Sequence, residues 1–432
     1  MAADQTPPMD TAIADLHCHY PMHLPEAASE PDRSIRGVPF AGMESFDPDP
    51  SPVRRLRMRA AWVDRLRAWL LKRAAEKINY PGHGTGAQPG EPEWRVSLKR
   101  LRRGNVRFVF SVLYQPFAEL DFGKWPEGRP EDGYFRALSD QLTAVEADLA
   151  RLDREGELHR IIRSGADLQA AREGGQTAFL HCVEGGFHLG DSTTDVRRNV
   201  GLLADAGVVY ITLAHLFFRR MAKNANALPF LKDWMYRLLF WQLGPDVTKL
   251  GRAAIEEMYE RRILIDISHM REDAIAKTFD LLGELDRESG RTPSDYPVIA
   301  THAAFRFGNQ RYNLTPATIR RIANRGGVIG LIFAQHQINE RLYEGETKTL
   351  EESLPILKRH VDEIRRHGGH EVLAIGSDFD GFIKPTLGGF DHIDDLAKLG
   401  EHLDELCPDH GQGFLSGNAL RVLETTFAGR ER

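Results

Sequence analysis

The sequence predicts an α/β fold: a single (β/α)8 TIM barrel over residues 1–432, with long insertions after strands 1 and 4. Three observations predict it. Short β-branched or apolar runs recur about eight times along the chain, the number a closed parallel barrel needs. Segments of helical periodicity lie between them, and alternating strand and helix argues for a parallel sheet with helices outside. Six of the runs end in a histidine or an acid, which is where barrel enzymes keep their chemistry.

In chain order the predicted strands are Ala12–Leu16, Arg107–Ser111, Ala178–Cys182, Val208–Leu213, Leu264–Ile267, Val298–Ala300, Val328–Phe333 and Val372–Ile375. Helices are expected over Asp191–Ala206, Gly251–Arg262, Pro316–Arg325 and Leu354–His367, where apolar residues fall at i, i+3 and i+4. The first insertion runs from about Pro21 to Arg103, far beyond an ordinary βα loop. It opens Pro- and acid-rich and turns basic and helical across Arg54–Lys77. The second, Arg219–Lys249, carries Phe230, Trp234, Tyr236, Phe240 and Trp241, an aromatic run expected to serve packing or a subunit contact. Neither reads as a separate domain, and no internal repeat interrupts the pattern.

Bulk properties narrow the class. Of the 432 residues 42% are hydrophobic and 27% charged, the balance of a globular enzyme. A formal net charge of -6 does not point to nucleic acid or an anionic membrane as a partner. The 3 cysteines, Cys18, Cys182 and Cys407, are too few for a disulfide framework and suggest a reducing compartment. No basic segment followed by an apolar stretch opens the chain, and no run of ~18 apolar residues occurs. The expectation is a cytoplasmic protein acting on a small molecule.

The chemistry begins at the first strand, which ends Asp15-Leu16-His17-Cys18-His19. Side chains two apart on a strand face the same way, so His17 and His19 can share one metal. The third predicted strand runs into Glu184-Gly185-Gly186, where glycine lets the backbone turn and present the carboxylate. His215, His269 and His302 close the fourth, fifth and sixth strands, and Asp378-Phe379-Asp380 closes the eighth. Two cations close together need a bridging anion, and Glu184 can give one oxygen to each. His17 and His19 would then hold one metal, His269 and His302 the other. Metals ~3.5–4 Å apart can share a water and lower its pKa. The ligand types suit two divalent ions per chain, zinc best, with manganese, iron or cobalt as alternatives. Asp378 is left as general base, with Asp380 as its rival on the same face. His215 is either a hydrogen-bond donor to the substrate carbonyl or a satisfied core histidine.

These pieces, in order, resemble the membrane (renal) dipeptidases of the amidohydrolase superfamily. The matching stretches are Asp15–His19, Val183–Gly186, Tyr210–His215, Ile265–His269, Pro297–His302, Gly376–Gly381 and the closing Leu415–Val422. The resemblance implies a binuclear zinc dipeptidase, and a homodimer. It assigns ligands to His17, Glu184, His269 and His302, substrate polarisation to His215 and the proton shuttle to Asp378. Two departures stand out. The family's first motif is His-x-Asp, whereas His19 stands here for the aspartate and removes a negative charge. The family also places an arginine before an asparagine to hold the substrate carboxylate. Here the stretch reads Asn309-Gln310-Arg311-Tyr312-Asn313. Tyr312 takes that place, leaving Arg311 or Arg306 to reach the carboxylate as a bidentate pair. Two other classes compete. Asp15–His19 also resembles the opening of the polymerase-and-histidinol-phosphatase phosphoesterases, which close on Asp-x-His rather than Asp-Phe-Asp. A non-catalytic metal-binding barrel is the third reading, opposed by the full ligand set and by Asp378.

Overall fold

The computed structural model describes residues 11–23, 95–114, 119, 132–156, 158–218, 220–228, 231–340, 342–381 and 385–431. Among the described residues nine strands form the sheet: β1 (Ile13–Cys18), β2 (Val106–Leu113), β3 (His159–Ile161), β4 (Thr177–Glu184), β5 (Tyr210–Thr212), β6 (Leu264–Asp266), β7 (Val298–Ala303), β8 (Ile329–Leu331) and β9 (Leu373–Ile375). Every strand pairing is parallel. The order is β2-β1-β9-β8-β7-β6-β5-β4-β3, and β2 also pairs with β4, which closes eight of them into a ring. The fold is therefore the (β/α)8 barrel, and each of the eight expected strands overlaps one in the ring.

The ninth strand, β3, was not expected. It pairs with the first residues of β4, His159 opposite Thr177 and Ile161 opposite Phe179. The short β5 meets that same strand only at Val183 and Glu184. β3 thus occupies backbone that β5 leaves free. Its sequence, His-Arg-Ile, is half-buried and has no apolar run to betray it.

The ring strands are apolar because they are covered on both faces. All eight residues of β2 and all eight of β4 are buried. Inside the ring Phe110 stacks on Tyr210 at 6.2 Å, and the Tyr210 hydroxyl reaches across to Leu16 O at 2.9 Å. Outside, the helices begin on side-chain caps. Ser192 accepts from Asp195 N to start α1 (Thr193–Asp205), and Thr248 from Gly251 N to start α2 (Lys249–Arg261). α3 (Glu272–Ser289) follows β6. Thr315 caps α4 (Pro316–Asn324), which has proline in its first turn, and a Thr349/Glu352 capping box opens α5 (Leu350–Gly368). The four expected helices correspond to α1, α2, α4 and α5 with ends shifted by a few residues. A helix at Asp132–Arg154 precedes β3 and one at Asn418–Arg430 closes the described chain.

Most of the first insertion, including Arg54–Lys77, lies outside the described residues. Its last part, Leu98–Arg103, is a helix leading into β2. In the second insertion Asp233–Leu239 is helical, with Tyr236 and Phe240 buried and Trp234 and Trp241 exposed; Phe230 is outside the described residues. No helix among the described residues is long and apolar enough to cross a membrane.

Candidate metal centre

Of the residues singled out at strand ends, His17, His19, Glu184, His215, His269, His302 and Asp378 come to the same mouth of the ring, and Asp380 does not. Glu184, the last residue of β4, lies at its centre. Its Oε1 is 3.4 Å from His17 Nε2, 3.4 Å from His269 Nε2 and 3.5 Å from His302 Nε2. Its Oε2 is 3.5 Å from His19 Nε2 and 3.4 Å from His215 Nε2. Asp378 Oδ1 closes the ring of donors, 3.1 Å from His19 Nε2 and 3.8 Å from His17 Nε2. All seven residues are buried. Three compact donor groups emerge among the described residues: His17–His19–Asp378, Glu184–His269–His302 and, behind them, His17–Asp266–His302.

The backbone bends sharply to make this possible. Gly185, after Glu184, has φ +91°, and His269 and Asp378 themselves adopt φ +64° and +58°. Non-glycine residues in this region carry local strain that surrounding structure must hold. At Asp378 the holding is visible: its N–H donates to His17 O at 2.8 Å, and His19 N–H donates to Phe379 O at 2.9 Å. Just before it Gly376 packs so tightly that a Cβ there would lie 1.7 Å from Thr301 O.

A second layer sets which nitrogen faces the centre. Thr301 Oγ1 donates to Asp266 Oδ2 at 2.7 Å, so it accepts from His17 Nδ1 at 3.0 Å and His302 Nδ1 at 2.9 Å. The Tyr210 hydroxyl, having donated to Leu16 O, also accepts from His17 Nδ1 at 3.0 Å. With hydrogen on Nδ1, both rings turn an Nε2 lone pair inward. His17 Nε2 is buried with no hydrogen-bond partner among the described residues, and His269 and His302 bring their Nε2 atoms to 2.8 Å. Inward lone pairs crowded around a carboxylate are what a cation needs, so the donors fit a divalent metal.

Charge agrees. Burial and the neighbouring His17 and His269 hold His302 well below its usual range, and burial and His215 lower His269, so both imidazoles are held neutral. Burial alone would raise Glu184, but His215 and His17 outweigh it and keep the carboxyl well below its ordinary value. Burial likewise opposes charge on His215, yet Glu184 and Glu119 lift it to about 9.

The profile described as membrane dipeptidase (peptidase family M19) matches residues 67–431, most of the chain. The chain belongs to the membrane dipeptidase family. Among its relatives is dipeptidase verJ of Clonostachys rogersoniana, 24% identical over 343 residues, covering 76% of this chain and 75% of the relative. The solved structure of dipeptidase AC, a metallo peptidase, aligns with a TM-score of 0.60 at 19% identity, covering 79% of this chain and 91% of that one. A metallo peptidase from Rhodobacter sphaeroides, liganded with a phosphinate mimic of the dipeptide L-Ala-D-Ala, aligns with a TM-score of 0.59 at 19% identity, covering 83% and 95%. As an M19 metallopeptidase-family member the chain is a hydrolytic enzyme that uses divalent metal. The matched span begins after β1, so His17 and His19 stand on geometry.

Other sequence candidates fall elsewhere in this M19 chain. Asp380, the rival of Asp378, is turned to the backbone: its Oδ2 accepts from Val96 N at 2.8 Å. Arg306 is tied into its own loop, donating to Asn313 O and Arg311 O and pairing with Glu272 at 2.9 Å. Arg311 is exposed. Neither guanidinium contacts the cluster among the described residues. Tyr312 is buried, its hydroxyl donating to His302 O at 2.7 Å and its ring edge-on to His269 at 5.0 Å. Sequence reading missed Glu119, a fully buried acid whose Oε2 lies 2.5 Å from His215 Nδ1. It follows no apolar run and matches no quoted motif, so no local signal marks it.

Proposed function

We propose that the enzyme is a binuclear dipeptidase in which Glu184 would help to hold both of two divalent ions, zinc by ligand type. His17 and His19 would hold one and His269 and His302 the other. The observation that carries this reading is the single Glu184 carboxylate with imidazole Nε2 atoms 3.4–3.5 Å from both of its oxygens. When bound, such ions supply Lewis acidity toward a carbonyl and make a shared water more acidic.

The chain's own groups do the rest. Asp378 Oδ1, beside His17 and His19, takes the proton from the attacking water and passes it to the leaving amine. His215, with Nε2 3.4 Å from Glu184 Oε2, donates from Nε2 to the peptide carbonyl oxygen and stabilises the charge that grows there. Arg311, the arginine of the expected pair not tied into its loop, is the candidate for the substrate carboxylate. The substrate is a dipeptide, and L-Ala-D-Ala is the first to try, since a mimic of it occupies a structural relative.

The test joins metal content to turnover. The purified protein should carry about two ions per chain and cleave dipeptides while leaving phosphoesters intact. Asp378→Asn should lose about 10²- to 10⁴-fold in kcat, the range for a general base, with metal retained. Phosphate release without dipeptide cleavage would overturn the peptidase reading, and unchanged turnover in the variant would remove Asp378 from the reaction.

A further inference from the structure

Glu119 is a fully buried carboxylate with no part in the mechanism above. A buried acid is costly unless its oxygens are met by donors, and here they are. Oε2 accepts from the Tyr114 hydroxyl at 2.7 Å and from His215 Nδ1 at 2.5 Å, while Oε1 accepts from Phe217 N at 3.0 Å. One side chain therefore grips both the His215 ring and the backbone two residues beyond it. Tyr114 is itself clamped: its N–H donates to Gln141 Oε1 at 2.9 Å, and Gln141 Nε2 donates to Tyr114 O at 3.2 Å.

The geometry limits what His215 can do. A carboxylate only accepts, so the hydrogen on Nδ1 is committed to Glu119. The ring cannot flip, because it is wedged edge-on between Tyr114 at 4.6 Å and His269 at 4.4 Å. Its Nε2 is thereby aimed at the centre, 3.4 Å from Glu184 Oε2. We infer that Glu119 is a positioning residue for hydrolysis: it fixes the His215 ring so that Nε2–H meets the substrate carbonyl oxygen as that oxygen gains charge. This rests on the reading of His215 as the group that polarises the carbonyl. A neutral glutamine could still meet the Phe217 N–H. Only a carboxylate accepts from Nδ1–H and the Tyr114 hydroxyl at one oxygen while balancing a charge on the ring.

A double-mutant cycle tests it. Glu119→Gln, His215→Asn and the pair are compared for kcat, KM, metal content and melting temperature, with L-Ala-D-Ala as substrate. Glu119→Gln should lower kcat about 10- to 100-fold, the cost of losing a carboxylate behind a functional histidine, with KM and metal content near those of the parent. Glu119→Asp, which keeps the charge, should recover part of the loss. In the His215→Asn background Glu119→Gln should cost nothing further. Unchanged kcat in Glu119→Gln, or an equal loss in both backgrounds, would overturn the inference. If Glu119→Gln does not fold, Glu119→Asp enters the cycle in its place, with the same two outcomes. An unimpaired His215→Asn would instead overturn the role of His215, and the inference with it.

Discussion

Thr301 shows how much of this centre depends on residues that touch no substrate. Its hydroxyl donates to Asp266 and accepts from both His17 and His302, so it fixes two imidazoles in one hydrogen-bonded knot. Thr301→Val keeps the shape and removes the knot. Asp266 keeps its bonds from Thr212 Oγ1, Ser268 Oγ and Thr301 N, so the strand ends stay in place. Metal affinity should fall about 10- to 100-fold, the usual cost of a lost partner behind a ligand, read by titration against a competing chelator. Unchanged affinity would mean that ring orientation is set elsewhere. His17, Glu184, His269 and His302 were legible because each closes an apolar run. Thr301 and Asp266 lie in the same motifs, but their roles appear only when β6 and β7 stand side by side. Glu119 was not legible at all.

Among the elements, strands and helices were legible where burial is two-faced or periodic, as in β2, β4 and α5. β3 was not, because three half-buried residues need only a free edge of β4. The sequence prefers Asp378 to Asp380 without showing what parts them. Both have positive φ, but Asp378 Oδ1 lies 3.1 Å from His19 Nε2, whereas Asp380 accepts from Val96 N. The helical layer has a fastener of its own. Arg325, just past α4, ion-pairs with Asp286 near the end of α3, and its guanidinium also donates to Tyr296 O at 3.1 Å. Side-chain exposures of 5% and 7% put the pair inside the protein. Arg325→Ala leaves Asp286 buried without its cation, so it should cost about 3–5 kcal/mol. Denaturant unfolding would show it as a lower midpoint, and a loss below about 1 kcal/mol, typical of exposed pairs, would contradict it.

For the molecule as a whole, the proposed centre bears on stability as well as on catalysis. Five imidazoles and two carboxylates share one buried space, and ions that bind only the folded chain stabilise it by mass action. At a free concentration a thousand-fold above Kd the gain is about 4 kcal/mol per site. Chelation should therefore abolish activity and lower the melting temperature by several degrees, with both restored by added metal. A melting temperature indifferent to chelator would count against resident ions. The barrel also settles when this centre can exist. Asp15 accepts from the backbone and hydroxyl of Ser377, 362 positions away, and His17 O receives the Asp378 N–H. Among the ring's strands, the earliest in the chain is completed only by the latest. Closing so long a span adds little entropy beyond a shorter one, yet it imposes an order of events. Until β9 docks against β1, His17 and His19 have no Asp378 beside them, and the growing chain carries no working half of its own active site.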